Sequence, residues 1–307
     1  MVIAGGSGFL GRLLVERLDP EGVESVVLTR SPGDHRGPGR AVAWDGRHPG
    51  DWMMELDGAD ALVNLTGKNV NDRPTRRHRG EVKASRVDSV RVLGEAIRRV
   101  GCPPRLWVQA SSLAIHGDAG DRICDEATPL PSAAGYPVNV CLEWEAALGE
   151  ALLPEMRAVV LRIGFVLGIE GGALPFLAKL ARFGLGGTIG SGRQWISWIH
   201  RDDMANLFVE VFENPALAGV YHATGPEPAT NREFMRELRR VLGAPWSPPA
   251  PAPAVWTGAW MLGSDPKIAL TGRRCVPARL CDSGFAFRWP KLAPALENLY
   301  PQRKRNI

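Results

Sequence analysis

Val2-Ile3-Ala4-Gly5-Gly6-Ser7-Gly8-Phe9-Leu10-Gly11, at the head of the chain, reads as strand, glycine turn and helix. The apolar run Val2 to Ala4 enters the glycines, and Leu10, Leu13, Leu14 and Leu18 leave them at helical spacing. Glycines 5, 8 and 11 keep the spacing of a dinucleotide-binding turn. Gly5 permits the tight turn, Gly8 admits backbone N–H groups to a pyrophosphate, and Gly11 lets helix and sheet pack closely. The phosphates then face a helix amino terminus, where free N–H groups and the macrodipole favour negative charge. Gly5, Ser7, Gly8, Phe9 and Leu10 are therefore the expected pyrophosphate contacts.

Working outward, short apolar runs alternate with helical patterns. Strands are expected at 2–4, Ser25–Thr29, Ala61–Leu65, Leu106–Ala110 and Ala158–Ile163, and helices near 9–18, 81–99 and 139–151. This alternation predicts an α/β fold: a Rossmann-type, doubly wound parallel sheet with helices on both faces. Ligands of such sheets bind beyond the carboxyl ends of the strands, where the Gly5 turn, Arg30, Thr66 and Ser111-Ser112 all fall. The cofactor domain is expected over 1–162, with about 195–225 returning to it. Residues 163–307 are expected to form mainly a smaller α+β substrate domain, with its own terminal subdomain at about 250–300.

Within that second half, helices are expected at Leu174–Phe183, Asp203–Glu213 and from Thr230-Asn231, with His200 and Asp203 capping the second of these. Pro245 to Ala254 reads as an extended connector. Trp256, Trp260, Met261, Ile268, Leu270, Phe285, Phe287 and Trp289 read as terminal core.

Composition narrows the function. At 307 residues, 45% hydrophobic and 23% charged, the chain has the balance of a globular protein with a sizeable core. Its net charge of +4 is spread along the sequence, which argues against nucleic-acid and membrane partners. The one basic concentration, Arg73 to Arg79, reads as loop and helix start, or as contact with an anionic ligand. Five cysteines show no metal-ligand spacing and suit reduced thiols, so a cytoplasmic location and no metal are expected. No apolar run approaches the about 18 residues of a membrane span.

The second strand ends Val26-Val27-Leu28-Thr29-Arg30, without the carboxylate that holds a ribose 2′-hydroxyl in many NAD-binding folds. A guanidinium there suits a 2′-phosphate, and Thr29 adds a hydroxyl. NADP(H) is expected over NAD(H).

These segments resemble the extended short-chain dehydrogenase/reductase superfamily through GGSGFLG, Asn64-Leu65-Thr66-Gly67 and Ser111-Ser112. Within it the chain is similar to the atypical epimerase family of the SDR39U1/YfcH type. The residues that carry the likeness are WD at 44–45, VNLTG at 63–67, SR at 85–86, WE at 144–145 and LRIGFVLGIEGGAL at 161–174. GLGGTIGSGRQWISWIHRDD at 184–203, VPARL at 276–280 and GFAFRWP at 284–290 complete it. The resemblance implies NADP(H) binding. It places Thr29 and Arg30 on the adenosine phosphate, Leu65, Thr66 and the following Gly67 beside the adenine ribose, Glu81, Arg86 and Ser111 near the cofactor, and Val166 at the nicotinamide end. A homodimer through the helices at 81–99 and 139–151 is a family-type expectation.

Reductases and epimerases of the superfamily use Tyr-x-x-x-Lys, with the lysine lowering the tyrosine pKa during hydride transfer. Ser112 fits the accompanying serine. Tyr136 is the tyrosine of the right region, but four residues on stands Val140, and Tyr300 with Lys304 lies in a polar tail. Three readings are open. The chain is an oxidoreductase or epimerase-like enzyme acting on a small carbonyl or hydroxyl substrate, with Ser112 orienting it and His116 or Tyr136 moving the proton; or hydride transfer proceeds with water as the proton source; or the fold binds NADP(H) without turnover, as a sensor or partner-binding module.

Overall fold

Seven parallel strands form the central sheet of the computed structural model, which describes residues 1–132 and 135–301. They are β1 (Val2–Ala4), β2 (Val26–Thr29), β3 (Arg40–Ala43), β4 (Ala61–Asn64), β5 (Leu106–Ser112), β7 (Arg157–Ile163) and β11 (Gly219–Ala223). The short strands β6 (Ile123–Cys124), β8 (Phe165–Leu167), β9 (Trp195–Ile196) and β10 (Trp198–His200) interrupt that series outside the sheet. The spatial order is β3-β2-β1-β4-β5-β7-β11. β1, β2 and β4 are buried along their whole length, as a parallel sheet covered on both faces requires, which is why they read as unbroken apolar runs.

The chain order reverses between β1 and β4, so the crevice of this sheet opens at their carboxyl ends. Helices α1 (Phe9–Leu18) and α5 (Arg201–Glu213) cover one face through Leu14, Phe208 and their neighbours. Helices α2 (Arg76–Ile97) and α3 (Val138–Ala151) cover the other through Leu93, Trp144 and Leu148. A Cβ on Gly11 would overlap the backbone of Gly6, so α1 lies as close to its turn as only glycine allows.

A second core joins α4 (Leu174–Arg182), α6 (Asn231–Leu242) and α10 (Leu292–Leu299) around Trp198, Phe234 and Leu296. Thr230 and Glu233 close a capping box on α6, whose single apolar face supplies Phe234, Met235, Leu238 and Val241. β12 (Ala229–Thr230) pairs with β9, and β13 (Arg274–Cys275) with β6. Between them lie α7 (Ala252–Leu262) and α8 (Pro266–Leu270), with α9 (Ala278–Asp282) beyond. No helix among the described residues is long and apolar enough to cross a membrane.

Four expectations need correction. The strand β3 is absent from the expected series: an outer strand of four residues that opens on Arg40 after Gly39, it lacks the apolar run of its neighbours. The connector at 245–254 is extended only to Pro251, where α7 begins. Trp256, Trp260, Met261 and Ile268 are surface residues, with Trp260 69% and Met261 73% exposed, whereas Phe285 and Phe287 pack on the main core and Trp289 on the second. Asp203 does not cap α5; His200 does, accepting from the Asp202 N–H at 3.1 Å. The buried Asp203 carboxylate instead accepts the N–H groups of Arg288 (2.7 Å) and Trp289 (3.0 Å), pinning the terminal segment to the start of α5. Lys304, the partner of Tyr300 in the literal Tyr-x-x-x-Lys match, lies outside the described residues.

Candidate functional site

Gly5 turns with φ +73°, and a Cβ on it would come within 3.0 Å of the Thr66 backbone. The turn and the β4 exit are thus pressed together at the crevice, where the Leu65 N–H donates to the Ala4 carbonyl at 2.9 Å. Helix α1 starts at Gly8 with no side-chain cap and no acidic residue in its first turn, so its leading N–H groups face outward unclaimed by a side chain. The Thr66 hydroxyl is buried without a hydrogen-bond partner. A free helix amino terminus beside an orphaned hydroxyl fits a dinucleotide backbone.

Ser7 and Thr29 join their hydroxyls at 3.0 Å, and the next residue, Arg30, is exposed. Phe9 and Leu10 face inward against the main core near Val166. The half-buried Phe9 ring occupies the space a side chain at Gly168 or Gly171 would need, so Phe9 packs on that loop. Arg86 lies against Gly67, with its guanidinium 5.1 Å from the Trp144 ring centroid and donating to the carbonyls of Lys68 (3.2 Å) and Val82 (3.0 Å). Glu81 pairs with Lys68 (2.6 Å) and Arg77 (2.8 Å), whose hydrogen bonds hold its carboxyl down at about 2.

Both serines stand at the carboxyl end of β5 but do different work. Ser111 gives its hydroxyl to Glu145 at 2.6 Å, and Glu145 accepts Arg162 through two bonds of 2.9 and 2.8 Å. Ser111 thereby buttresses the Glu145–Arg162 ion pair beside the crevice. Ser112 is half-buried and accepts the Ala114 N–H at 3.2 Å, and its own proton has no acceptor among the described residues. Tyr136 is half-buried just before α3, with the Arg79 guanidinium 4.9 Å from its ring centroid. Burial raises its pKa, and the charges of Arg86 and Arg79 oppose that rise. No basic residue follows on α3 in its first turns, and Val140 is buried.

His116 does not suit the proton-donor role. It is 2% exposed, and its Nε2 lies 3.1 Å from Nε2 of His222, 106 residues away. His222 turns its Nδ1 to the Val276 carbonyl at 3.1 Å. Burial drives both imidazoles down to about 4, with Arg162 adding to the effect, so both are neutral at pH 7. Cys275 completes a buried trio whose ligand atoms lie within 4.8 Å of one another. The Nε2–Nε2 contact is itself a shared-proton hydrogen bond, and Arg122, Arg162 and Arg273 all press positive charge on His116. That field opposes a further cation, and the trio reads as a hydrogen-bonded core.

A family model described as "NAD dependent epimerase/dehydratase family" matches residues 1–223, and one described as "Domain of unknown function (DUF1731)" matches 250–299. The chain belongs to the NAD dependent epimerase/dehydratase family. Within that family it is 34% identical to the human epimerase family protein SDR39U1, over 97% of this chain and 99% of that one. It is 30% identical to the epimerase family protein YfhF of Bacillus subtilis, over 99% of each. The crystal structure of human SDR39U1 (isoform 2) with NADPH superposes with a TM-score of 0.86 at 31% identity, covering 98% of this chain and 99% of that one.

In this member of the epimerase/dehydratase family, the terminal domain reaches the cleft. Arg73, on the loop after β4, donates to the Trp260 carbonyl at 3.4 Å, and the Asp265 charge acts on Tyr136. Arg273 acts on Cys141, one turn into α3 from Tyr136. Sequence reasoning missed the parts of Glu145, Arg162 and Arg273, whereas Arg79 lies in the basic run already singled out. One signal was available: Arg162 interrupts the apolar strand Val159-Val160-Leu161-Arg162-Ile163, and a charge in such a strand demands a partner.

Proposed function

We propose that the chain is an NADP(H)-dependent oxidoreductase that reduces a small carbonyl compound, with Tyr136 as proton donor and Ser112 orienting the reacting oxygen. The observation that carries this reading is the crevice itself: an uncapped α1 terminus and an orphaned Thr66 hydroxyl, with exposed Arg30 where a carboxylate would select NAD. The NADPH bound to the human relative supports the same cofactor. In this reading the backbone of Gly5, Ser7, Gly8, Phe9 and Leu10 holds the pyrophosphate, and Thr29 and Arg30 hold the 2′-phosphate. Leu65, Thr66 and Gly67 line the adenine ribose, Glu81 and Arg86 border the cofactor, and Val166 closes the nicotinamide end.

Bound NADPH supplies the hydride for the carbonyl carbon. The oxygen then gains negative charge, and an alkoxide is a far stronger base than a phenolate, so the Tyr136 proton moves to it. Burial keeps that phenol protonated at neutral pH, ready to give. Once formed, the phenolate lies within the fields of Arg86 and Arg79, which do part of the work of the superfamily lysine.

The test is nicotinamide absorbance with a panel of aldehydes, ketones and quinones. Carbonyl-dependent NADPH oxidation that falls at least about 100-fold in Tyr136→Phe supports the reading, within the range of general acid catalysis. Val140, in place of the lysine, favours a second reading, in which the fold binds NADP(H) without turnover. Tight NADPH binding with no oxidation across the panel would select it.

A further inference from the structure

From Val241 to Ser264 the chain carries no charged residue, and three tryptophans, Trp246, Trp256 and Trp260, fall within that stretch. Helix α7 lies inside it and has one polar side chain, Thr257. A helix that is apolar on every side is ordinarily buried. This one is not. Trp256 and Trp260, one turn apart and so on one face, are both exposed, and Met261, next in the chain, is exposed as well. Trp246, on the segment that leads into the helix, is 79% exposed. Large apolar side chains gathered at a surface in this way mark a place of contact.

Against α7 lies the one basic concentration of the sequence. Arg73 donates to the Trp260 carbonyl at 3.4 Å, its guanidinium stands 5.8 Å from the Trp260 ring centroid, and a Cβ on Gly263 would touch its stem. Arg73 and Arg76 are exposed and make no ion pair among the described residues, whereas Arg77 is held by Glu81. The acid of that loop, Asp72, lies 3.7 Å from the His78 imidazole. Tryptophan settles where hydrocarbon meets water, and an arginine at that depth meets anionic headgroups.

We propose that α7 and the start of α2 form a docking surface for anionic phospholipid, with Trp256, Trp260 and Met261 entering the headgroup region and Arg73 and Arg76 pairing with lipid phosphates. No helix among the described residues can cross a bilayer, so the chain lies on its surface. Three inserted side chains hold weakly, and so do two cations, so attachment is reversible and needs both. Charge spread along the whole chain argues against a membrane partner; a local pair of arginines beside an exposed apolar helix reverses that expectation. A second copy of the chain complements the patch less well, because 241–264 offers no acid to the arginines and Asp72 already faces His78. The surface does not depend on the reductase reading.

The test is sedimentation of the full chain with vesicles, one set of phosphatidylcholine and one with a third of its lipid replaced by phosphatidylglycerol. Wild type should partition at least about 10-fold more strongly onto the anionic set at about 0.1 M salt, and about 1 M salt should release it. Trp260→Ser should weaken that partitioning about 10-fold, and Arg76→Gln about 5-fold. Without vesicles both variants should unfold within about 2 °C of wild type, so that the loss belongs to the surface and not to the fold. Equal partitioning onto the two sets, or unaltered partitioning in Trp260→Ser, overturns the proposal. So does a dimer in light scattering that Trp260→Ser dissolves, which assigns the face to a second copy.

Discussion

Arg162 and Arg273 both act on the Cys141 thiol, yet one is locked and the other open. Arg162 has a bidentate carboxylate, itself held by Ser111, and its work is done within the fold. Arg273 makes no ion pair among the described residues and its buried Nε has no acceptor there, although the Asp118 charge acts on it. Charge pairing separates the two arginines more sharply than burial does.

The contrast can be broken most forcefully at the locked arginine. Glu145→Ala leaves the Arg162 charge buried and unpaired, and should cost about 3–5 kcal/mol in urea unfolding, with Glu145→Ala/Arg162→Leu recovering much of it. A loss below about 1 kcal/mol would show that the pair is not structural.

The histidine couple extends the contrast to neutral groups. His116 and His222 fall from 6.5 to about 4 on folding, so the unfolded chain binds their protons first as pH drops. Stability is therefore fully present above pH 6.5 and falls as pH decreases from 6.5 towards 4, by up to about 1.4 kcal/mol per unit for each histidine. A flat stability profile across that window would mean that the rings are charged in the fold.

At the opposite end of the cleft, Arg30→Asp should weaken NADPH relative to NADH by about 100-fold, the size of one charge-assisted contact reversed. Unchanged discrimination would remove Arg30 from the 2′-phosphate. The open arginine should then be nearly silent for stability: Arg273→Met should change unfolding by less than about 0.5 kcal/mol or raise it. A large loss would reveal a structural partner. Smallest of all, Met261→Lys on the exposed face of α7 should stay within about 0.5 kcal/mol. A larger loss would mean that the face is covered in solution.

How legible each region was follows from what fixes it. The turn from Gly5 to Gly11 can be read because backbone geometry restricts residue choice locally, and the buried strands can be read because both faces demand apolar side chains. The strand β3 escapes because an outer strand of four residues carries no such demand. Trp256 and Trp260 mislead for a related reason, since aromatic character states a preference for burial and the fold leaves α7 on the surface. Ser112 and Tyr136 are recoverable as residues at strand and helix ends. Arg273 is not, because the groups its charge acts on, Asp118 and Cys141, lie more than 100 residues away in the chain.

The central claim, a cofactor crevice built for a 2′-phosphate, is tested most directly by titrating the purified protein with NADPH and NADH and following nicotinamide fluorescence. NADPH should bind at least about 10-fold more tightly, equivalent to ~1.4 kcal/mol. Equal affinities would contradict the role of Arg30, and failure to bind either nucleotide would contradict the reading of the glycine turn itself.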